Sequence, residues 1–595
     1  MSDTNQLSKV VVYQVITRLF GNTKTTNKKW GTIEENGVGK FSDFSNTALS
    51  AIKNLGVTHI WFTGVLHHAL IRDYTSYGIS NDDPNIVKGR AGSPYAIKDY
   101  YNVNPDLAVN PANRLQEFKT LIKRTQDAGL KVIIDLVPNH VARKYESVSA
   151  PHGIEDFGAN DNTNYEYEKY NNFYYIPQQQ FIKPEWLDGY TPLNGEDNTG
   201  YDKHYENPAK WTGNGSREAQ PHFYDWYETV KINFGIRPDG SKDFDELPAG
   251  YENKDCEEHY NFWQDKDIPD SWKKFKHIAL YWIELGVDGF RYDMAELVPV
   301  EFWSYMNSSI KMANPNAFIL AEVYQPHLYR EYLNIGKMDY LYDKVDLYDT
   351  LKLIIQGHGS TDSIVEIQNK FVDIEHQMLH FLENHDEQRI ASPAFAGDAK
   401  KGKPAMVVSA TISSSPTMIY FGQEVGEPAA DDAGFGSSSR TTIFDYWGVP
   451  NHQRWMNNGK FDGGQLSADE KELFSFYKTL LNLTLTRPAL SGNYREIHYY
   501  NRHNTEWYND NVFSFVRWAN NERIIVVTNF NSYNDYGFEL QVPAEIVKIW
   551  GLRDGVYALT DQLNNKTVLT FNITNNIGKV RIDIEALGSY ILKLG

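Results

Sequence analysis

The chain has 595 residues, 41% of them hydrophobic and 23% charged, which exceeds what one core usually serves; length alone predicts roughly four domains of about 150 residues, a count that large α/β barrels reduce. Fifty-eight Lys plus Arg stand against 77 Asp plus Glu, and the net charge of -19 makes a surface that repels the phosphates of a nucleic acid. No run approaches the roughly 18 apolar residues of a bilayer-crossing helix, and Cys256, the single cysteine, excludes an internal disulfide, a cysteine zinc site and a dithiol redox pair.

Residues 1–8 are a polar lead without the basic start or apolar core of a signal peptide. That lead fits a cytoplasmic protein or a chain trimmed of its signal. From residue 10 a pattern repeats in which a short apolar, β-branched run is followed by a loop and an amphipathic stretch. The runs are 10–16, 59–62, 131–137, 289–293, 317–323, 338–342, 378–382 and 417–421, with helical periodicity between them at 114–128, 272–285 and 299–312. Runs of this length alternating with helices predict a parallel sheet covered on both faces, and eight of them predict closure into a (β/α)8 (TIM) barrel. The third connection is anomalous. It is rich in Asn, Asp, Gly, Tyr and Pro and far longer than a usual loop, so 139–265 is expected to be an inserted, loop-rich domain. The barrel then comprises 1–138 and 266–494. Beyond 495 the period changes to two, at 512–518, 523–529, 538–542, 567–573 and 579–584. Asn520-Asn521, Asn564-Asn565 and Asn575-Asn576 mark turns, and 495–595 is expected to be a C-terminal antiparallel β-sandwich. Aromatic residues make up 14% of the chain; their faces suit sugars, purines and ordinary cores alike.

In a parallel barrel the chemistry sits where strands end. The third run ends in Asp135-Leu-Val-Pro-Asn139-His140, the fourth is Gly289-Phe-Arg291-Tyr-Asp293, the fifth is Ile319-Leu-Ala-Glu322-Val, and the seventh is Phe381-Leu-Glu383-Asn384-His385-Asp386. Each places an ionisable group after a stretch that otherwise reads as buried, where a lone charge is costly unless paired or used. One such acid is as readily a helix cap. Four at the same end of four strands point to a site. Clustered carboxylates without phosphate-binding glycines suit glycosidic-bond chemistry, which needs one ionised carboxylate and one protonated acid.

DLVPNH at 135–140, GFRYD at 289–293, AEV at 321–323 and ENHD at 383–386 resemble, in order and placement, the four sequence regions of glycoside hydrolase family 13, the α-amylase family. Ser93-Pro-Tyr95-Ala-Ile-Lys-Asp99-Tyr100 and Tyr420-Phe-Gly-Gln-Glu424 are similar to further segments of it, and the resemblance covers about 10–450. It implies a retaining α-glucan hydrolase acting on α-1,4 bonds of starch, glycogen or maltooligosaccharides. In that reading Asp293 is the nucleophile, Glu322 the general acid and then base, and Asp386 the third carboxylate, which holds sugar hydroxyls. Arg291, two residues from Asp293 and on the same strand face, keeps that carboxylate ionised and aimed. His140 and His385 hydrogen-bond the sugar at the cleavage position, and Tyr95 stacks on it. Nucleophile and acid are expected about 5–5.5 Å apart.

Departures from the family pattern leave some readings open. Asn139 matches a position where family members often contribute a calcium ligand, and it reads equally as a turn residue after a strand. Glu296 and Leu297 stand where many amylases carry Lys-His. The family's short fifth motif has Val230-Lys231-Ile-Asn233 as its nearest counterpart. Calcium is the one cofactor the resemblance brings into question, and no organic cofactor is expected. Gly397-Asp-Ala-Lys-Lys-Gly402-Lys403-Pro404 nearly spells a phosphate loop, but Pro404 replaces the magnesium-binding hydroxyl residue. That stretch and the pair His376 and His380 read as surface or loop. A first strand near residue 10 leaves no N-terminal β-domain, which lowers the expectation of cyclodextrin- or pullulan-hydrolysing and branching activity. Glucanotransfer by the same residues is the alternative, since a sugar hydroxyl competes with water after the covalent intermediate. A catalytically dead glucan-binding barrel is disfavoured because all three carboxylates remain. The expected partner is an α-glucan, with no nucleic acid and no membrane span; oligomeric state stays open. A polymeric substrate too large to enter a cell favours export for a mature chain.

Overall fold

Eight short runs of the chain, buried on both faces, pair side by side in parallel in the computed structural model, which describes residues 9–185, 192–196, 204–564 and 567–595. The polar lead at 1–8 and Asn565 of one predicted turn lie outside the described residues. The strands are β1 (Val11–Ile16), β2 (His59–Thr63), β3 (Lys131–Leu136), β4 (Gly289–Tyr292), β5 (Phe318–Ala321), β6 (Tyr340–Tyr342), β7 (Met378–Leu379) and β8 (Thr417–Tyr420). They pair consecutively from β1 to β7, and β1 also pairs with β8. A single parallel bridge from His380 to Thr417 joins β7 to β8 and closes the barrel. The reading of His380 as surface or loop is therefore corrected: it is 1% exposed, and its ring meets the Ser409 carbonyl at 3.1 Å. His376 is exposed, as expected.

Along each strand, alternate residues point into the barrel. Val12, Trp61, Ile133, Leu320, Leu379 and Met418 form one buried cluster there. One inward step later the strands turn polar: Val12 is followed by Gln14, Ile133 by Asp135, Leu320 by Glu322, and Gly289 by Arg291 and then Asp293. The apolar layer thus forms a floor, and the ionisable side chains stand on it at the C-terminal ends.

Helices cover the outside with apolar stripes at helical spacing. In α1 (Arg114–Asp127) Phe118, Leu121 and Ile122 are buried, and in α3 (Asp270–Glu284) Trp272, Phe275, Ala279 and Trp282 are. Helix α2 (Cys256–Trp263), at the end of the long third connection, leans on α4 (Val300–Ala313). His259 Nδ1 and Trp263 Nε1 both reach Ser304 Oγ, at 2.8 and 2.9 Å. The rest of that connection is mostly irregular. Two short antiparallel pairs organise it, His140–Ala142 with Thr229–Lys231 and Tyr175–Ile176 with Ala209–Lys210, and a small core includes Tyr174, Phe181, Trp211 and Tyr227.

The C-terminal part is one eight-stranded antiparallel sheet among the described residues. Its strands are β9 (Asn493–Glu496), β10 (Val512–Ala519), β11 (Glu522–Asn529), β12 (Tyr536–Val542), β13 (Gly555–Asp561), β14 (Val568–Thr574), β15 (Ile577–Ile584) and β16 (Ser589–Leu594), in the order β9-β10-β11-β16-β13-β14-β15-β12. Residues from well-separated strands, such as Val516 of β10 and Phe538 of β12, share one core, so the sheet wraps over and packs its halves face to face as a sandwich does. On β10 and β11 the opposite face is buried too, because Phe513, Phe515, Ile524 and Val526 join the core of the barrel.

Candidate active site

Arg291 organises the C-terminal end of the barrel. Strand pairing sets it beside Asp135 on β3 and Leu320 on β5. Its guanidinium is fully buried and meets three carboxyls: Asp293 Oδ1 at 2.8 Å, Glu322 Oε2 at 2.9 Å and Asp135 Oδ1 at 3.5 Å. Nε donates to the Tyr342 hydroxyl at 3.1 Å, and the Trp61 and Tyr95 rings lie 5.2 and 5.6 Å from its central carbon. Trp61 Nε1 also donates to Asp135 Oδ2 at 2.9 Å, so Asp135 is fixed from two sides.

Asp293, Glu322 and Asp386 line one cavity of about 300 Å³. The fourth, fifth and seventh strands bring together the three acids expected to meet. Asp293 uses Oδ1 on Arg291 and keeps Oδ2 unengaged among the described residues. Glu322 uses Oε2 on Arg291 and on the N–H of Met294, at 2.8 Å, and keeps Oε1 for the cavity. Met294 takes a left-handed backbone conformation, with φ of 49°, and this turns its N–H toward Glu322.

Asp386 lies beside His385, whose Nε2 is 3.0 Å from Asp386 Oδ2 and 2.5 Å from the Tyr95 hydroxyl. Gln14 Nε2 donates to His385 Nδ1 at 2.8 Å, which leaves Nε2 as the nitrogen bearing hydrogen. Burial and the nearby Arg291 hold His385 well below the ordinary histidine range, so it is neutral. Tyr95 and His385 stack, with ring centroids 5.3 Å apart, and both face the site. His140, also lining the cavity, is pushed down to about 3 by burial and by Lys231 and Lys88. The two histidines therefore act as neutral hydrogen-bonding groups.

The carboxyls respond in the opposite direction. Burial raises Asp293 well above the usual carboxylate range, Glu322 and Asp386 add to that rise, and Arg291 opposes it. Burial with the charge of Glu322 lifts Asp386 to about 7, and burial lifts Asp135 to about 6 against the pull of Arg291. Burial thus disfavours the charged form of these three carboxyls, and Arg291 is the group that offsets it in each.

Around Asn139 the donors do not fit a calcium ion. Its side-chain oxygen accepts a hydrogen bond from the Lys231 ammonium at 2.7 Å, and its amide donates to the Gly213 carbonyl at 3.0 Å. Lys231 is half-buried, and desolvation pushes it down to about 8, so the group facing that oxygen is itself a cation at neutral pH. Among the described residues no three His, Cys, Asp or Glu side chains stand together as a metal cage.

Several lining residues gave no signal in the sequence. Trp226 and Glu228 come from the inserted region, Lys88 from the loop after β2, Ile443 and Phe444 from the loop after β8, and Tyr324 from just beyond Glu322. Lys88 and Glu228 form an ion pair on the cavity wall. Gln14, a polar residue inside the apolar run VVYQVI, was the one further site residue that the sequence could have revealed.

A family model described as alpha amylase, catalytic domain, matches residues 14–233 and 251–490, and one described as alpha amylase, C-terminal all-beta domain, matches 504–595. The chain is 22% identical over 526 residues to alpha-amylase 3 of Dictyoglomus thermophilum, a match covering 83% of this chain and 81% of that protein. It is 22% identical over 430 residues to a 4-alpha-glucanotransferase of Thermotoga maritima, covering 70% and 72%. Among solved structures, a maltogenic alpha-amylase of Thermotoga neapolitana shares the fold, with a TM-score of 0.59 at 16% identity over 99% of both chains. No described helix is long and apolar enough to cross a membrane.

Proposed function

Because the chain belongs to the α-amylase family and is an α-amylase-type glycoside hydrolase, we propose that it cleaves α-1,4-glucosidic bonds of starch, glycogen or maltooligosaccharides with retention of configuration. The observation that carries this reading is the shared cavity of Asp293, Glu322 and Asp386, with Arg291 ion-paired to the first two.

Each role follows from the free atoms. Arg291 holds Asp293 by one oxygen and opposes the rise that burial gives this carboxyl, and in the ionised form the other oxygen attacks the anomeric carbon. Glu322 presents Oε1 to the glycosidic oxygen and gives it a proton as the bond to the leaving sugar breaks. The product of this step is a glycosyl ester on Asp293. Glu322, now ionised, takes a proton from water, the resulting oxygen attacks the same carbon from the vacated face, and Asp293 leaves as carboxylate. Asp386 and His140 face the sugar as hydroxyl partners, His385 holds Asp386 and the Tyr95 hydroxyl from behind, and the Tyr95 ring offers the sugar a flat apolar surface. Asn139 has a structural role in this reading, its side-chain oxygen accepting a hydrogen bond from the Lys231 ammonium.

Proton NMR of the earliest products from maltooligosaccharides tests the proposal. New reducing ends should appear as α-anomers, and β-anomers appearing first would overturn the double displacement. Transfer to a sugar acceptor is a second reading, supported by the glucanotransferase relative and by the Trp226, Tyr324 and Phe444 side chains that line the cavity. Products longer than a maltotriose substrate would favour it.

A further inference from the structure

The two loops that leave β4 and β5 are laced together in both directions. From the first loop, Met294 N–H donates to Glu322 Oε2 at 2.8 Å and Ala295 N–H to the Glu322 carbonyl at 3.1 Å. From the second, Tyr324 and Gln325 N–H both donate to Glu296 Oε2, at 2.9 and 3.0 Å. Glu296 is anchored in turn, because the Tyr332 hydroxyl donates to its carbonyl at 3.2 Å and to that of Val298 at 2.9 Å. The side chain of Glu296 therefore grips the backbone two and three residues beyond Glu322.

This is the position where the sequence departs from the Lys-His of many amylases. A lysine ammonium donates hydrogen bonds and accepts none, so it could not bind these two N–H groups. We infer that Glu296 is a positioning residue for Glu322: it fixes the 322–325 loop so that the free Glu322 oxygen faces the leaving-group oxygen. The inference rests on the acid–base role proposed for Glu322. Glu296 does not line the cavity that Glu322 and Tyr324 line, so its effect passes through the loop.

A misaimed acid hurts most where the leaving group needs a proton. In Glu296→Ala, kcat/KM on maltooligosaccharides should fall about 10-fold, while aryl α-maltosides with acidic phenol leaving groups should lose about twofold or less. The plot of log kcat/KM against leaving-group pKa should steepen. Glu296→Gln keeps an acceptor oxygen and should return the maltooligosaccharide rate to within about threefold of the parent, whereas Glu296→Lys should behave like Ala. Equal losses on both substrate types, or a Gln variant no better than Ala, would overturn the inference. A parent that turns over neither substrate would instead remove the functional reading on which it rests.

Discussion

Arg291 carries its charge out of reach of water, and the acids around it share one cation. Asp135 is the member that does not line the cavity, so its titration can be changed without touching the sugar site. Burial lifts it from the ordinary 3.8 to about 6, which means that the folded chain binds its proton more tightly than the unfolded chain. The stability so gained is complete below about pH 4 and is lost as pH rises through about 6. Asp135→Asn abolishes this titration. Relative to the parent it should gain stability between pH 4 and pH 8 by on the order of 2–3 kcal/mol, read from urea unfolding at the two pH values. A difference that stays flat with pH would contradict the assignment. The carboxyls and Arg291 were legible in the sequence because each interrupts an apolar run at the same end of a strand. Trp226, Tyr324 and Phe444 were not, since they reach the cavity from irregular loops with no periodicity to place them.

At the scale of elements, the antiparallel pairing of His140–Ala142 with Thr229–Lys231 ties the inserted region to the end of β3. His140 and Lys231 are directly opposite in its register, so the strand pair that delivers a site histidine on one side delivers, on the other, the ammonium that holds Asn139. Gly213 packs under this pair; a Cβ there would lie 2.1 Å from Thr229 Oγ1 and 3.3 Å from the His140 Cβ. Lys231→Met removes the donor and leaves a buried acceptor unsatisfied, at a cost of about 1–3 kcal/mol. Melting temperature should fall in this variant, while a chelator should leave the parent's melting unchanged. A parent that loses stability with chelator and regains it with calcium would contradict the role given to Lys231. The barrel strands were readable because two buried faces leave long apolar runs. β13 escaped notice because its partly exposed residues, among them Val556 at 74% exposure, blur the alternation. β9 has four residues and lies at the sheet edge, and burial along β16 does not alternate strictly. The inserted region has little regular structure to predict, and its packing is set by side chains such as Arg143, which pairs with Glu206 at 2.5 Å and covers the Phe181 ring at 4.0 Å.

Across the whole molecule, the C-terminal sheet and the barrel share a core. Phe513, Phe515, Ile524, Val526 and Ile591 belong to the barrel's apolar cluster, while their neighbours along the same strands fill the sheet's own core. Arg517 reinforces the junction with buried hydrogen bonds to the carbonyls of Ile412, Ala489, Leu490 and Gly492. Calorimetry should therefore record one unfolding transition, and Arg517→Met should move all of it to lower temperature; a sheet that melts separately would contradict the shared core. A mechanism-based 5-fluoro α-maltosyl fluoride tests the convergence of the three acids most directly, because it traps the covalent intermediate for peptide mass spectrometry. The account predicts a glycosyl adduct on the peptide containing Asp293, absent from Asp293→Asn. An adduct on Asp386 or elsewhere, or none from an enzyme that still turns over maltooligosaccharides, would contradict it.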